Sequence, residues 1–312
     1  MSAKLVSICC LAYNHGSFIK HTIEGFLNQK TDFPVEIIIH DDASEDDTQR
    51  IINQYYKKYP ELIRPIIQVE NQWRRGVRPF VSIVYPLTRG KYIALCEGDD
   101  YWTDPFKLQK QVEFLENNPE YALTATDIEL IDVSGSLLEP NAMLLKQRTF
   151  LKPDVDFFDL LNNNLINTLT VCFRKDVIRD EAARAVAPDY WFVLDKWLWL
   201  NIAIGHKIRI FKDITAAYRI QPASVSHVDS FFRIREDNIR YDVLGRFIEK
   251  QGLKRLGKHQ YEAVAKTCCR LLLSHSLQPK KKIVVLKWVI SEWSLFMAVF
   301  IQLFNIVAQK NE

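Results

Sequence analysis

The chain has 312 residues, with 41 Lys+Arg against 38 Asp+Glu and a formal net charge of +3. At 48% hydrophobic and 25% charged residues it has the balance of a folded globular protein, which excludes disordered and fibrous classes. So even a charge offers no broad basic field, and nucleic acid is not an expected partner.

In chain order, apolar and β-branched runs bounded by turn residues predict strands over Leu5–Leu11, Val35–His40, Ile63–Val69 and Tyr92–Cys96. Helical spacing alternates with them at Ser17–Gln29, Ser44–Tyr59, Phe80–Leu87 and Phe106–Asn117. Such alternation implies βαβ units and a mostly parallel sheet, whose ligands bind beyond the carboxyl ends of the strands. Farther on, Tyr121–Thr126 and Leu169–Phe173 read as strands, Trp191–Gly205 as a helix, and Ile208–Phe211 and Ala216–Ile220 as two short strands. From about Asp229 only helical patterns remain.

Six cysteines, Cys9, Cys10, Cys96, Cys172, Cys268 and Cys269, form no CxxC pair and sit mostly in apolar runs. That pattern suits reduced core cysteines in a cytosolic protein. The start of the chain is too short and too soon interrupted by Tyr13-Asn14-His15-Gly16 to be a secretory signal. Near the end, Lys280-Lys281-Lys282 leads into an apolar, Trp-containing segment broken by Lys287 and Glu292. A membrane span is the least favoured reading, since it needs about 20 mostly apolar residues. The other two stay open: an interfacial helix whose lysines meet anionic headgroups while Trp288, Trp293 and Phe296 enter the acyl boundary, or a final helix packed on the protein's own core.

Three carboxylate features could carry chemistry. Asp41-Asp42-Ala43-Ser44-Glu45-Asp46-Asp47-Thr48 follows the second strand. Ser44 with Asp47 is a helix-start signature, but Asp41 and Asp42 end a strand on the ligand side, where a carboxylate can accept from a nucleobase or ribose. Glu97-Gly98-Asp99-Asp100 ends the fourth strand. Carboxylates so close repel one another and lose hydration, which Mg2+ or Mn2+ bridging a diphosphate resolves with one or two protein ligands. Asp195, ahead of Trp197-Leu198-Trp199, is either the cap of an aromatic helix or a general base in an apolar wall.

The ordered combination resembles the family 2 glycosyltransferases of GT-A fold. The matching pieces are Val6 to Asn14, Ile39 to Ser44 with Asp47-Thr48, Gly90-Lys91-Tyr92 before Glu97 to Asp100, Asp104-Pro105 with Lys107-Leu108-Gln109, Asp195, and Tyr218-Arg219 before Ser224 and Ser226. The resemblance implies an α/β GT-A catalytic domain with a mostly parallel central sheet over residues 1–230; residues 231–312 are expected to form a helical C-terminal region, for which membrane association is one of the two open readings. The resemblance implies that Ala12, Tyr13, Asn14 and Asp42 hold the nucleotide base, that Asp99 and Asp100 meet ribose and a diphosphate-bound Mn2+ or Mg2+, and that Asp195 is the base of an inverting transfer. The implied partners are a nucleotide-sugar donor and a glycan or lipid-linked acceptor, at the cytoplasmic face of an inner membrane and in surface polysaccharide or lipopolysaccharide assembly. The acceptor pocket is expected from Leu137–Leu165 and the helices after residue 230.

Departures from the family pattern shape the expectation. Glu97 stands where Asp is commonest, and Gln221 where many relatives have His, so the contact expected there passes to His227 as a metal ligand or is absent. The QxxRW signature of processive synthases is missing, which favours one sugar per encounter. The stretch Trp73-Arg74-Arg75-Gly76-Val77-Arg78 places Arg75 either on the diphosphate or in a solvated loop. His15, His21, His40 and His206 read as ordinary surface or strand-end residues. Two alternatives accompany this reading: a sugar nucleotidyltransferase, which would want a Gly-rich basic loop where Tyr13 to Ser17 stands, and a non-catalytic nucleotide-sugar-binding protein of the same fold.

Overall fold

The computed structural model describes residues 6–140, 144, 145, 148, 152–163, 165–178, 194–221, 229–253, 256–275, 277–292, 295 and 297–302. Two compact units emerge: residues 1–155, 165–185 and 206–224 form the first, and 156–164, 186–205 and 225–312 the second. This boundary is interleaved, whereas the sequence suggests one cut near residue 230. The reason is packing: among the described residues, 157–162 and 194–203 present apolar side chains that the C-terminal helices cover.

In the first unit, β1 (Val6–Ala12), β2 (Val35–Asp41), β3 (Ile63–Ile67) and β4 (Tyr92–Glu97) pair in parallel in the order β3-β2-β1-β4. The residues of β1, β2 and β4 are mostly buried on both faces, as parallel strands covered by helices require, while β3 at the sheet edge buries only Ile63. Helix α1 (Ile19–Leu27) turns Ile19, Thr22, Ile23 and Phe26 inward at helical spacing, and α2 (Thr48–Lys58) returns the chain from β2 to β3. The helix expected at Phe80–Leu87 is a π-helical turn at Pro79–Val84 followed by a 3-10 turn at Tyr85–Leu87. Pro86, with no N–H to give, interrupts regular α-helical bonding there.

Beyond β4 come the two-residue β5 (Tyr101–Trp102), α3 (Lys107–Asn117) and β6, which runs from Tyr121 to Ile131. The short β7 (Leu137–Leu138) and β8 (Asp154–Val155) pair with β6 and with a later long strand. After α4 (Phe157–Asn162), β9 (Cys172–Arg174) joins β4 and β6 antiparallel. The two strands expected between residues 208 and 220 are one, β10 (Lys207–Arg219), parallel to β6. Irregular register between Ile210 and Ile214 lets the polar Lys212-Asp213 step sit outside the pattern without ending the strand. The ten-stranded sheet of the described residues thus orders as β3-β2-β1-β4-β9-β6-β10-β5, with β7 and β8 at its side.

In the second unit, α4, α5 (Leu194–Ala203), α6 (Asp229–Gln251), α7 (Lys258–Leu273) and α8 (Pro279–Ser291) pack helix on helix. Phe157 stacks on Phe247 with ring centroids 4.8 Å apart, and Trp197 and Trp199 of α5 are buried. Arg240 is also buried, held by Asp237 and by the Leu161 carbonyl. All six cysteines are buried and none is bridged. Among the described residues no helix is long and apolar enough to cross a membrane.

Candidate active site

Parallel pairing brings the carboxyl ends of the first four strands level. Ala12 lies opposite Asp41, Asp41 opposite Ile67, and Leu11 opposite Glu97. The loops that follow are stitched by main-chain bonds from Asp42 to Ala12, Gln68 to Asp41 and Gly98 to Leu11. Tyr13 to His15, Asp41 to Ser44, Gln68 to Trp73 and Gly98 to Asp100 therefore share one edge of the sheet, where a ligand of a parallel sheet is expected.

A cavity of about 480 Å³ opens there, lined among others by Tyr13, Ser44, Gln49, Gln68, Asn71 and Arg74. Arg74 covers Tyr13, with its guanidinium carbon 5.7 Å from the ring centroid and Nη2 donating to the hydroxyl at 3.2 Å. Asn14 and Ala43 both take left-handed backbone, at φ 55° and 62°. Asn tolerates this conformation, while Ala43 bears a strain of about 1–2 kcal/mol of the kind that collects at functional sites. The Asn14 amide donates to Ser44 Oγ, and Asn14 Oδ1 accepts from the Glu45 amide. These bonds hold the first loop against the second.

Ser44 differs from its sequence reading, while Asp42 and Arg75 show local partners. Ser44 does not cap α2: its hydroxyl donates to Asp41 Oδ1 at 2.5 Å, and the helix start is served by Asp46, which accepts from the Thr48 amide and hydroxyl and from the Gly16 amide. Asp42 is tied to the neighbouring loop, with Oδ1 accepting from the Gln72 amide and Oδ2 from the Trp73 amide. It shapes the loop that forms the cavity wall. Arg75 pairs with Glu70 at 2.5 Å on the surface, and its neighbour Arg74 is the arginine that lines the cavity.

The acidic motif sits next to this cavity edge. Asp100 is buried, and its carboxyl is pushed well above the ordinary carboxylate range by burial, then by the nearby charges of Asp99 and Glu97. A hydrogen bond from the Arg219 amide to Asp100 Oδ1 at 2.8 Å opposes that rise. Asp99 stays partly open to solvent, with Oδ2 accepting from Gln221 Nε2 at 2.6 Å. Among the described residues no group of three or more His, Cys, Asp or Glu converges as a ready-made metal site. The residues nevertheless fit a hard divalent cation of the Mg2+ or Mn2+ kind, because an oxygen-only, mutually repelling pair leaves most positions to diphosphate and water. His227 lies outside the described residues.

His15 was not legible as a site residue. It is mostly buried against the acidic motif, its Nε2 is 3.9 Å from Asp99 Oδ2, and its Nδ1 has no hydrogen-bond partner. Burial lowers its pKa, against the pull of Asp99, Asp46 and Asp41 in the other direction. Gly98 permits this contact: a Cβ there would stand 2.8 Å from His15 Nδ1 and 3.0 Å from the Ala12 Cβ. Asp195 falls in the second unit, inside the first turn of α5, and its Oδ1 accepts from the Lys196 amide at 2.7 Å.

The model of Glycosyl transferase family 2 matches residues 7–184, which carry β1 to β9 and both acidic loops. The chain belongs to glycosyl transferase family 2. Uncharacterized proteins of Mycobacterium bovis and Mycobacterium tuberculosis are 37% identical to it over 222 residues, which is 71% of this chain and 60% of theirs. The chain thus spans less than two thirds of the length of those relatives. A UDP-Glc:alpha-D-GlcNAc-diphosphoundecaprenol beta-1,3-glucosyltransferase of Escherichia coli is 29% identical over 237 residues, covering 76% of this chain and 85% of that protein. Among solved structures, a mannosyltransferase of Pyrobaculum calidifontis in complex with GDP-Man and Mn2+ superposes with a TM-score of 0.60 at 16% identity, covering 99% of this chain and 81% of that one. That likeness establishes the GT-A-like fold, a mainly parallel central sheet with helices and a helical C-terminal region.

Proposed function

We propose that this family 2 member is an inverting glycosyltransferase that moves one sugar from a nucleotide-sugar donor to a glycan or lipid-linked acceptor. The observation that carries the reading is the meeting, at one edge of the parallel sheet, of an open cavity with a self-repelling pair of carboxylates, Asp100 buried and Asp99 partly open to solvent. The names of relatives, a transferase acting on a diphosphoundecaprenol-linked sugar and one of teichuronic acid biosynthesis, support a role in surface polysaccharide or lipopolysaccharide biosynthesis, which in this reading takes place at the cytoplasmic face of the inner membrane.

In this reading the base and ribose of the donor occupy the cavity beside Ala12, Tyr13 and Asn14, with Asp42 holding the Gln72–Trp73 wall in place. Asp99 and Asp100, with His227, hold the divalent cation. When bound, Mn2+ or Mg2+ neutralises charge on the departing diphosphate. Arg74, next to Arg75, supplies positive charge at the cavity mouth. Asp195 takes the proton of an acceptor hydroxyl, that oxygen forms a bond to the anomeric carbon, and the bond from that carbon to the diphosphate oxygen breaks. A single base suffices because displacement from the opposite face needs no covalent sugar–enzyme bond.

The test is a thermal-shift series of nucleoside diphosphates with and without Mn2+, followed by donor turnover. Asp99→Ala should lose the Mn2+-dependent part of the shift. Asp195→Asn should keep that shift and lose transfer by about 10²–10⁴-fold. Full activity in both variants would overturn the assignment of base and metal ligands.

A further inference from the structure

The outward face of α8 is apolar where a solvated helix should be polar. Ile283, Leu286 and Ile290 follow one another at helical spacing and are exposed, Ile290 at 70%. Met297, Phe300 and Ile301, in the helical residues 297–302, continue the exposed apolar surface. The opposite face is already committed. Val285 and Val289 are buried, Trp288 stacks on Tyr241 of α6 with centroids 5.4 Å apart, and Lys281 donates to Asn238 Oδ1. Gly245 makes room for that stack, since a Cβ there would meet Trp288 at 3.3 Å. Trp288 therefore faces the protein and not a bilayer, contrary to the sequence expectation; Trp293 and Phe296 lie outside the described residues. Both C-terminal readings left open by the sequence have a physical basis, one on each face of the same helix.

Charge decides what the outward face suits. Between Pro279 and Gln302 the chain has four lysines and one acid, Glu292, a local excess equal to the net +3 of all 312 residues. Lys280 and Lys287 are exposed and fall on the same face as Ile283 and Ile290, one helical repeat apart. Glu292 is half-buried, and its charge adds to the burial that raises the pKa of Tyr261 in α7. A second copy of this face would set lysines against lysines, whereas an anionic bilayer interface meets both properties at once. Lysine stems can run along the apolar surface while their ammonium groups reach lipid phosphates. The helix, 13 residues long and so about 20 Å, is too short to span the roughly 30 Å hydrocarbon layer and is suited to lie in its plane.

We propose that the outward face of α8, continued by Met297, Phe300 and Ile301, docks the second unit onto the surface of a bilayer rich in anionic phospholipid. The inference stands apart from the donor-site reading and can fail or hold independently of it. The 312-residue protein is sedimented with vesicles of phosphatidylcholine alone and of phosphatidylcholine with phosphatidylglycerol. Binding is expected to the mixed vesicles, weakening as salt rises. Ile290→Asp and, separately, Phe300→Asp should each reduce the partition coefficient by at least about tenfold. Joint Lys280→Gln and Lys287→Gln should reduce it by about fivefold per lysine on mixed vesicles and leave phosphatidylcholine unchanged. Circular dichroism melts of each variant confirm the fold, and Phe300→Asp stands in if Ile290→Asp does not fold. Absence of binding to mixed vesicles, binding indifferent to these variants, or a dimer in light scattering that Ile290→Asp dissolves would overturn the proposal, the last by assigning the face to a second copy.

Discussion

Gly98→Ala probes the contact that joins the acidic motif to the first loop. The added methyl would stand 2.8 Å from His15 Nδ1, 3.0 Å from the Ala12 Cβ and 3.1 Å from the Ile19 Cδ1, all inside van der Waals contact. Those atoms belong to β1, its loop and α1, so relief on one side tightens another. Overpacking of this kind costs about 1–3 kcal/mol, and the smaller freedom of alanine in the unfolded chain returns about 0.4–1 kcal/mol. A net loss of about 1–2 kcal/mol is expected. The displacement also reaches Asp99 and Asp100, because the Gly98 amide donates to the Leu11 carbonyl and its carbonyl accepts from Thr22 Oγ1. Affinity for a nucleoside diphosphate with Mn2+ should fall by about tenfold, equal to about 1.4 kcal/mol. The assay is urea unfolding and calorimetric titration of wild type, Gly98→Ala, His15→Ser and the double variant. His15→Ser removes the nearest obstacle, so the cycle should show a favourable coupling of about 0.5–1.5 kcal/mol in both stability and affinity. Wild-type stability and affinity in Gly98→Ala, or strict additivity in the cycle, would refute the view that His15 and Ala12 set the position of the motif.

Other predictions concern the scaffold. Glu36 is buried, and although burial raises its pKa, hydrogen bonds from Ser7 Oγ and from the Arg89 amide and guanidinium outweigh this and hold it below the ordinary value. A depressed carboxyl stabilises the fold above its unfolded pKa and ceases to do so as pH falls through the folded one. Glu36→Gln should therefore cost about 1–3 kcal/mol at pH 7 and converge on wild type in acid, as read by denaturant unfolding against pH. Burial pushes Lys107 down from 10.5 to about 8. The unfolded chain then holds the extra proton between those values, so wild-type stability should rise by about 3 kcal/mol across that window relative to Lys107→Met. The variant should be at least as stable as wild type at pH 7, and an equal pH slope in both proteins would count against the burial argument. Gly25→Ala should destabilise by about 1–3 kcal/mol despite improved helix propensity, because the new Cβ would meet the Trp102 backbone N and O at 3.0 Å; an unchanged melting temperature would show that α1 can move off β5.

Much of the donor half was legible because its signals are local. Apolar β-branched runs ending in turn residues marked β1, β2 and β4, and the repulsion within Glu97 to Asp100 marked the carboxylates for which a cation is proposed. What was missed depends on partners distant in sequence. Asp42 was legible as a carboxylate on the ligand side, but not the bonds that place it, which come from amides thirty residues away at Gln72 and Trp73. His15 looked like a loop residue because its burial is created by Gly98, 83 positions later in the chain. The continuity of β10 was hidden by Lys212-Asp213, which a register irregularity absorbs. Even the two-residue β5 has no periodicity to read; it exists because Tyr101 and Trp102 pair with Ala217 and Ala216.

The acidic motif is held in place without being neutralised. Arg219 is buried beside it, yet its guanidinium donates to main-chain oxygens, from Nε to Asp99 and from Nη1 to Asp132 and Val133, while its carbon lies 4.4 Å from the Phe18 ring centroid. Among the described residues the Asp100 carboxyl accepts from the Arg219 amide, and that of Asp99 from the neutral Gln221 side chain, with His15 Nε2 3.9 Å away. An arginine aimed at either carboxylate would have stabilised the fold and competed with a cation. As arranged, Arg219 relieves the repulsion only in part, and in the proposed reading a divalent ion and a diphosphate would remove the rest together. Mn2+ and a nucleoside diphosphate should consequently raise the melting temperature by more in combination than the sum of their separate shifts, because each supplies the charge that the other lacks. Additive shifts would mean that the two bind independently, and that the acidic pair is satisfied before any donor arrives.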